Sequence, residues 1–218
     1  MKNDLWKILI ATGTMLIFAA LFLCLYNYRQ SAASYRSAQD VLSRLQDAMQ
    51  QITAAAPDET QPASPVAPQD DLFAPYEPTD AEAEPLTVTI DGNAYIGYLT
   101  IPSLGIELPV MADWSYDKLK TAPCRYSGAA ETNDLILCAH NYVSHFGPIR
   151  RLSAGERIVF TACDGTEYSY EVAYTEEIGG YQIEQMLRGG SEEWDLTLFT
   201  CTLGGQSRVT VRANRTAN

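Results

Sequence analysis

The chain has 218 residues and a net charge of −12, and residues 54–85 hold eight acidic and no basic side chains. This charge argues against a nucleic-acid partner, because phosphates are bound by basic surfaces. The length suits one domain of ordinary size with accessory segments.

The first predicted element is a membrane-spanning helix. Residues 8–28 carry no charged side chain and lie between Lys7 and Arg29, and these 21 residues are enough to cross a bilayer core as a helix. A cleaved signal peptide would have a shorter apolar core and a small-residue cleavage site, for which this segment offers only a poor candidate. We therefore expect a tail over residues 1–7 and an uncleaved anchor. The basic residues on its two sides are too evenly balanced to set the orientation.

Residues 29–53 are predicted to form an amphipathic helix next to the membrane. Apolar residues recur there at three- and four-residue steps, namely Val41, Leu42, Leu45, Met49 and Ile52. Such a stripe packs on an apolar surface or forms a short coiled-coil stalk, and two heptads do not decide between these alternatives.

Residues 54–85 are predicted to be a disordered linker. They contain eight Ala, seven Pro and eight acidic residues. This composition cannot bury enough apolar surface to offset the chain entropy that folding removes. The stretch DDLFAPYEP (70–78) carries two aromatic residues, but we expect an extended spacer rather than a segment docked on the domain.

Residues 86–218 form the predicted globular domain, which is mainly β. Short helices are expected within 113–128 and 181–190. Seven or eight short strands with few helices indicate a closed barrel or a sandwich. The strand-like runs are LTVTIDGNAYIGYLTIPSLGIELPV (86–110), DLILCAHN (134–141), ERIVFTA (156–162), TEYSYEVAYTEEI (166–178), DLTLFTC (195–201) and RVTVRA (208–213).

Five cysteines occur, at positions 24, 124, 138, 163 and 201. Their spacing supports no disulfide framework, and the presence of only two histidines and no CxxC motif argues against a zinc site. Cys124, Cys138 and Cys163 are expected to be small apolar residues. We expect neither a metal ion nor a cofactor.

The final hairpin brings a thiol and a guanidinium together. If DLTLFTC and RVTVRA pair antiparallel around residues 202–207, Cys201 lies opposite Arg208, and Thr197 lies opposite Arg212. Leu196, Leu198 and Thr200 then meet Val209, Val211 and Ala213 on the other face, which is predicted to be core. Opposed residues have Cβ atoms about 4.5–5.5 Å apart, so thiol and guanidinium would reach one substrate group.

These residue types suit covalent catalysis. A cysteine is intrinsically very nucleophilic, and an arginine can stabilise the thiolate or an oxyanion formed on an attacked carbonyl. A proton carrier is also needed, and His140 ends an apolar strand where an exposed functional group is well placed. His145 lies in the loop sequence SHFG, and either histidine could instead be an ordinary surface residue.

At these residues the chain resembles the sortase family, membrane-anchored cysteine transpeptidases of Gram-positive bacteria. IGYLTIPSLGIELPV resembles the opening strands of the family, LILCAHN its histidine strand, TLFTC its TLxTC motif, and SRVTV the arginine strand that follows. The resemblance covers most of residues 86–218. It implies a closed eight-stranded β-barrel with one or two short helices.

The resemblance also implies roles and partners. Cys201 would be the nucleophile, His140 the general acid and base, and Arg208 the stabiliser of substrate and oxyanion. The substrate would be a secreted protein with an LPxTG-like sorting signal, cleaved between Thr and Gly. The acceptor would be an amine of a peptidoglycan precursor or of a pilin lysine. The amino terminus would lie inside the cell, with one membrane span and the catalytic domain outside.

The chain departs from the family pattern in places. Ala139 stands where the family usually has a glycine before the histidine, and the loop between Cys201 and Arg208 is short. The second arginine of the strand, Arg212, is the main alternative to Arg208. Asn141 is a candidate for orienting the imidazole. The Asp–aromatic lid motif of pilus-building sortases is missing, so no lid is expected, and the subclass leans toward class B or a related clostridial group.

Two other functions compete with this interpretation. An L,D-transpeptidase would also be a cysteine enzyme of the wall, but it requires a glycine directly before the cysteine, where this chain has Thr200. A non-catalytic adhesion or assembly module on a stalk is the second alternative. It predicts that Cys201 reacts with an alkylating agent no faster than a buried thiol.

Overall fold

The computed structural model describes residues 2–55, 85–182, 185–186 and 194–216. The predicted linker, apart from its ends, lies outside these residues, as do the stretch DDLFAPYEP and most of the short helix expected within 181–190. The described part contains one long helix, α1 (Lys2–Ala55), three short 3₁₀ segments and nine strands. The strands are β1 (Val88–Ile90), β2 (Asn93–Ile101), β3 (Ile106–Met111), β4 (Cys124–Ser127), β5 (Leu135–Ala139), β6 (Arg157–Ala162), β7 (Glu167–Gly179), β8 (Leu196–Cys201) and β9 (Ser207–Arg215).

Helix α1 runs without interruption through both segments that the sequence predicts as helical. It is long and apolar enough to cross a membrane, and its most apolar 18 residues are not buried by the rest of the chain. Further along, Val41, Leu42, Leu45 and Met49 are buried, whereas Ile52 is 39% exposed. The stripe therefore packs on the domain of its own chain.

The contact between α1 and the barrel combines an apolar cluster with an ion pair. Leu45 and Met49 share a cluster with Tyr95 of β2 and Met111 of β3. Beside them, Arg44 donates two hydrogen bonds, of 2.7 and 2.9 Å, to the carboxylate of Asp91 in the β1–β2 turn. Packing of an apolar face supplies most of the stability of such a helix.

The sheet closes into a barrel of eight strands, as the family resemblance implies. Its order is β2-β3-β4-β5-β8-β9-β7-β6, and β6 pairs back onto β2. Strand β1 is a short ninth strand that extends the β2 side as a hairpin. At the closing seam Gly97 lies against β6, where a Cβ atom would come within 2.0 Å of the Thr161 carbonyl oxygen. Only glycine permits this approach.

The barrel interior is a single apolar core filled by alternate residues of its strands. The register predicted for the last hairpin is confirmed, because Cys201 pairs with Arg208, Phe199 with Thr210, and Thr197 with Arg212. The predicted core face is confirmed as well: Leu196, Leu198, Thr200, Val209, Val211 and Ala213 are all buried.

One strand was not predicted. The sequence indicates a helix running into a loop over residues 113–128, whereas the structure has a single turn of 3₁₀ helix at Lys118–Lys120 followed by strand β4. Strand β4 has only four residues and a bulge in its pairing with β5, so it lacks the regular alternation that identifies a strand in sequence.

Candidate active site

Cys201 and Arg208 lie opposite each other where β8 ends and β9 begins. Both side chains are half-buried and line one groove. The short loop between them turns through Gly204 and Gly205, which have φ of +92° and +73° and so occupy backbone conformations that glycine adopts readily. The loop carbonyls of Gly205 and Ser207 accept hydrogen bonds from Nη1 of Arg208. Within the described part of the chain, no hydrogen bond engages its Nε or Nη2 atoms.

His140 reaches the same edge of the barrel from β5. Strands β5 and β8 are parallel and in register, with Ala139 beside Thr200, so His140 and Cys201 each follow a directly paired residue. The hydroxyl of Thr200 donates a hydrogen bond of 2.8 Å to the carbonyl oxygen of Ala139 and joins the two strands at this point. Neighbouring strands lie about 4.8 Å apart. The fold therefore brings the three candidate residues to the same mouth of the barrel, where Cys201, Arg208 and Ala139, the residue before His140, line one groove.

The imidazole of His140 lies against an aromatic ring. Its centroid is 4.8 Å from that of Tyr142, with 30° between the ring planes. Burial, and secondarily the positive charge of Lys120, lowers the pKa of His140 from its ordinary value, which favours the neutral ring. Among the described residues no hydrogen bond joins Asn141 to this imidazole. The ring is held by packing against Tyr142 rather than by a hydrogen bond from Asn141.

The groove that holds Cys201 has a free volume of about 240 Å³ and a largely apolar wall. Tyr126 stacks on Trp114 with 5.7 Å between centroids and meets Phe199 edge-on at 5.3 Å. Such a wall suits an apolar segment of substrate that leads to a polar reacting centre. Sequence reasoning missed it. The aromatic residues of the stretch DWSY (113–116) were the available signal.

His145 is fully buried and connects the His140 loop to helix α1. Its Nε2 is 3.0 Å from the hydroxyl of Ser34, which itself donates to the carbonyl oxygen of Lys120. Because the Ser34 proton is used in that bond, the hydroxyl accepts from Nε2–H, and Nδ1 is left without a partner. Burial lowers the pKa of His145 to about 4. This side chain is a neutral structural element of the interface and not a surface residue.

Arg212, the alternative to Arg208, is held inside the protein. Its side chain is 1% exposed and pairs with Glu176 at 2.9 Å. It also donates to the Thr197 hydroxyl and to the backbone carbonyls of Gln185 and Met186, and its guanidinium lies 4.3 Å from the ring centroid of Trp194. These contacts use its donors, whereas Arg208 faces the groove.

The other cysteines of the barrel are buried as expected. Burial raises the pKa of Cys124 to about 12 and of Cys163 to about 11, and it raises the pKa of Cys138 still further. These thiols are protonated at neutral pH and are poor nucleophiles. Within the described ranges no group of three or more His, Cys, Asp or Glu side chains is placed to hold a metal ion.

Comparison with known proteins decides the family. A family model described as Sortase domain matches residues 99–216, more than half of the chain. The chain belongs to the sortase family. No curated protein matches this sortase.

Solved sortase structures share its fold. Sortase C1 from Streptococcus agalactiae is 25% identical with a TM-score of 0.52, and the match covers 60% of this chain and 72% of that one. Sortase C from Clostridium perfringens SM101 is 19% identical with a TM-score of 0.51, and the match covers 84% of this chain and 91% of that one. Both are named as class C enzymes, whereas the motifs of this sortase led us to expect a class B or related clostridial type.

Proposed function

We propose that this sortase is a membrane-anchored thiol transpeptidase that uses Cys201, His140 and Arg208. The observation that carries the proposal is the convergence of three chain segments at one groove. Cys201 is paired with Arg208 in the last hairpin, and the same strand is in parallel register with the strand that ends before His140. The remaining barrel thiols are buried and protonated, which leaves Cys201 as the candidate nucleophile.

In the acylation step, neutral His140 takes the proton of the Cys201 thiol, and the resulting thiolate attacks the carbonyl carbon of the scissile peptide bond. The carbonyl oxygen becomes an oxyanion, which Arg208 stabilises through donors that the loop does not use. The C–N bond then breaks. His140 in its protonated form gives its proton to the departing amine, and a thioester between Cys201 and the acyl fragment remains.

In the transfer step, the amine of the acceptor attacks the thioester carbonyl. Neutral His140 takes one proton from this amine as the new amide bond forms, and the sulfur leaves as the thiolate. The proton then passes from His140 to the sulfur, so that both residues return to their starting state. The cycle exchanges one amide for another, with no net gain or loss of atoms by the enzyme.

The substrate we propose is a secreted protein with an LPxTG-like sorting signal, cleaved between Thr and Gly. The groove supports this choice because the walls leading to Cys201 are formed by aromatic and aliphatic side chains, including Trp114, Leu119 and Phe199. Such walls fit the apolar residues that precede the scissile bond. The acceptor we propose is an amine of a peptidoglycan precursor or a pilin lysine.

We place the protein in the cell membrane, with residues 8–28 as its span, its amino terminus inside and the barrel outside. Helix α1 supports the anchor, since the side chains of its apolar part are exposed. Residues 29–53 join the anchor to the catalytic domain of residues 86–218 through the linker of residues 54–85. This arrangement would hold the enzyme where wall precursors and exported proteins meet.

The test uses trapping of the thioester by mass spectrometry with a library of sorting-signal peptides. We expect an acyl adduct on Cys201 in the natural enzyme, no adduct in Cys201→Ala, and loss of transpeptidation in His140→Ala, with all proteins folded. Cys163→Ala is the matched control and should retain turnover, because that thiol is buried away from the groove. Turnover by Cys201→Ala or His140→Ala would contradict the assignment. If Cys201 were alkylated as slowly as the buried thiols, a non-catalytic assembly module would be favoured.

A further inference from the structure

A second groove lies between helix α1 and the barrel. It is at the end of the barrel next to the carboxyl-terminal end of the apolar part of α1. Its free volume is about 860 Å³. Cys24, Asn27 and Tyr28 of the predicted membrane span line it together with Val143 and Leu203 of the barrel loops. Glu107 is the one charged side chain among the described residues of its wall. The groove is therefore continuous with the membrane-facing part of the helix.

The two loop residues are exposed although they are aliphatic. Val143 is 81% exposed and Leu203 is 88% exposed. We call these two side chains the rim. Val143 follows His140 by three residues, and Leu203 follows Cys201 by two, so each loop of the candidate active site carries one exposed apolar side chain. Exposed apolar residues that are continuous with an apolar surface mark an interaction site.

The depth of the rim relative to the bilayer follows from the rise per residue of helix α1 and from the positions of its aromatic residues. Tyr26 and Tyr28 end the apolar stretch, and Trp6 begins it about 33 Å earlier at 1.5 Å per residue, with all three rings exposed. Aromatic residues spaced in this way mark the two surfaces of a bilayer. The hydroxyl of Ser144 lies 3.1 Å from that of Ser31, which is about 5 Å beyond Tyr28 along the axis. The headgroup layer is about 5–8 Å thick, so Val143 lies within its depth.

We propose that the rim inserts into the lipid headgroup layer of the membrane that holds α1, so that the active-site groove opens at the bilayer surface. The proposal rests on the membrane anchoring described above. Three residues of chain span at most about 11 Å. Cys201 and His140 therefore lie within that distance of the rim. They can reach peptide bonds that lie close to the membrane surface.

The opposite end of the barrel, which is far from the predicted membrane span, provides a control residue for the rim. Gly165 lies beside Thr53, which is about 37 Å beyond Tyr28 along the helix axis. Leu86 is 51% exposed and lines a small surface pocket with Asp164 at that end. It is an exposed aliphatic residue far from the membrane and is thus a matched control for the rim.

The experiment measures depth by spin labelling of the full chain in vesicles of phosphatidylcholine and phosphatidylglycerol. Single cysteines replace Val143, Leu203, Leu86 or Met15 in a Cys24→Ala/Cys201→Ala background, where the remaining thiols are buried. Collisions with oxygen, which concentrates in lipid, are compared with those of a water-soluble nickel complex. We expect labels at 143 and 203 to report the headgroup layer, the label at 15 the hydrocarbon core, and the label at 86 water.

Two results would overturn the proposal in distinguishable ways. If labels at 143 and 203 match the label at 86 while the label at 15 reports lipid, the anchor exists but the rim does not touch the membrane. If the label at 15 also reports water, the anchoring itself is wrong. A second variant sharpens the test: Leu203→Asp should shift the label at 143 toward water, whereas Leu86→Asp should leave it unchanged.

Discussion

Two arginines of β9 differ in what surrounds them, although they lie on the same face of the strand. Arg208 is half-buried at the groove, with donors left for a substrate. Arg212 is 1% exposed and has an anionic, a hydroxyl and two carbonyl partners in addition to the ring of Trp194. We therefore propose that Arg208 takes part in the reaction, whereas Arg212 stabilises the fold.

Replacing each arginine by lysine should separate these roles. A lysine cannot reproduce the planar fork of donors. Arg212→Lys should lower the free energy of unfolding by about 2 kcal/mol through lost charged hydrogen bonds, and Arg208→Lys by less than about 0.5 kcal/mol. Turnover should be lost in Arg208→Lys. Urea denaturation and transpeptidation assays of both variants provide the check, and the reversed pattern would assign the chemistry to Arg212.

The buried imidazole of His145 should make stability depend on pH. Its pKa falls from 6.5 to about 4 on folding, so between these values the unfolded chain binds the proton that the folded chain excludes. Stability contributed by the neutral ring is complete above 6.5 and declines as the pH falls toward 4, by up to about 3 kcal/mol. His145→Gln should flatten the dependence in denaturation measured across this range. An unchanged slope would show that the ring is not held neutral.

At the scale of elements, the second half of α1 packs on the barrel and belongs to the same folded domain. The side chains of Leu45 and Met49 are buried in a cluster with residues of β2 and β3. Ser34 also joins the helix to His145 in the loop that follows His140. A catalytic fragment should therefore begin near Gln30 and keep the helix, rather than begin at Leu86.

Two alanine substitutions in α1 test this packing. Leu45→Ala should lower the free energy of unfolding of a fragment starting at Gln30 by about 3 kcal/mol, since it leaves a cavity in a buried cluster. Ile52→Ala is the matched control on the same stripe and should cost less than about 1 kcal/mol because Ile52 is 39% exposed. Equal effects in thermal or urea denaturation would mean that the helix does not pack as described.

The elements also show where sequence reasoning succeeds. Alternation along the last two strands predicted which residues share the core face, and the assumed loop of residues 202–207 gave the observed register. A one-residue slip would turn Arg208 and Arg212 into the apolar core. Strand β4 was missed because a strand of four residues with a bulge is too short and irregular to show alternating apolar and polar side chains. The burial of His145 was missed because its partner, Ser34, is 111 positions away in sequence. Local pattern contains no information about such a contact.

At the scale of the whole molecule, α1 would set the height of the barrel above the membrane in the arrangement that we propose. Inserting seven helix-forming residues between Tyr28 and Ser31 adds about two turns and raises the barrel by about 10 Å with little rotation. Turnover of a peptide tethered to the same vesicle close to its surface should fall, because the groove moves away from it. A soluble peptide should be turned over as before. If the insertion left turnover of the tethered peptide unchanged, the height of the barrel above the membrane would not matter for turnover.

The parallel pairing of β5 with β8 has a consequence for export. The residues joined by the Thr200–Ala139 hydrogen bond are 61 positions apart. In the topology that we propose, with the anchor first and the barrel outside, β5 therefore leaves the membrane long before β8 arrives. Until then β5 has an unpaired edge, and non-local pairings of this kind form slowly. If Cys201 is the nucleophile, as we propose, a partly translocated chain has no assembled active site, and it cannot react with neighbouring nascent chains before its last hairpin has docked.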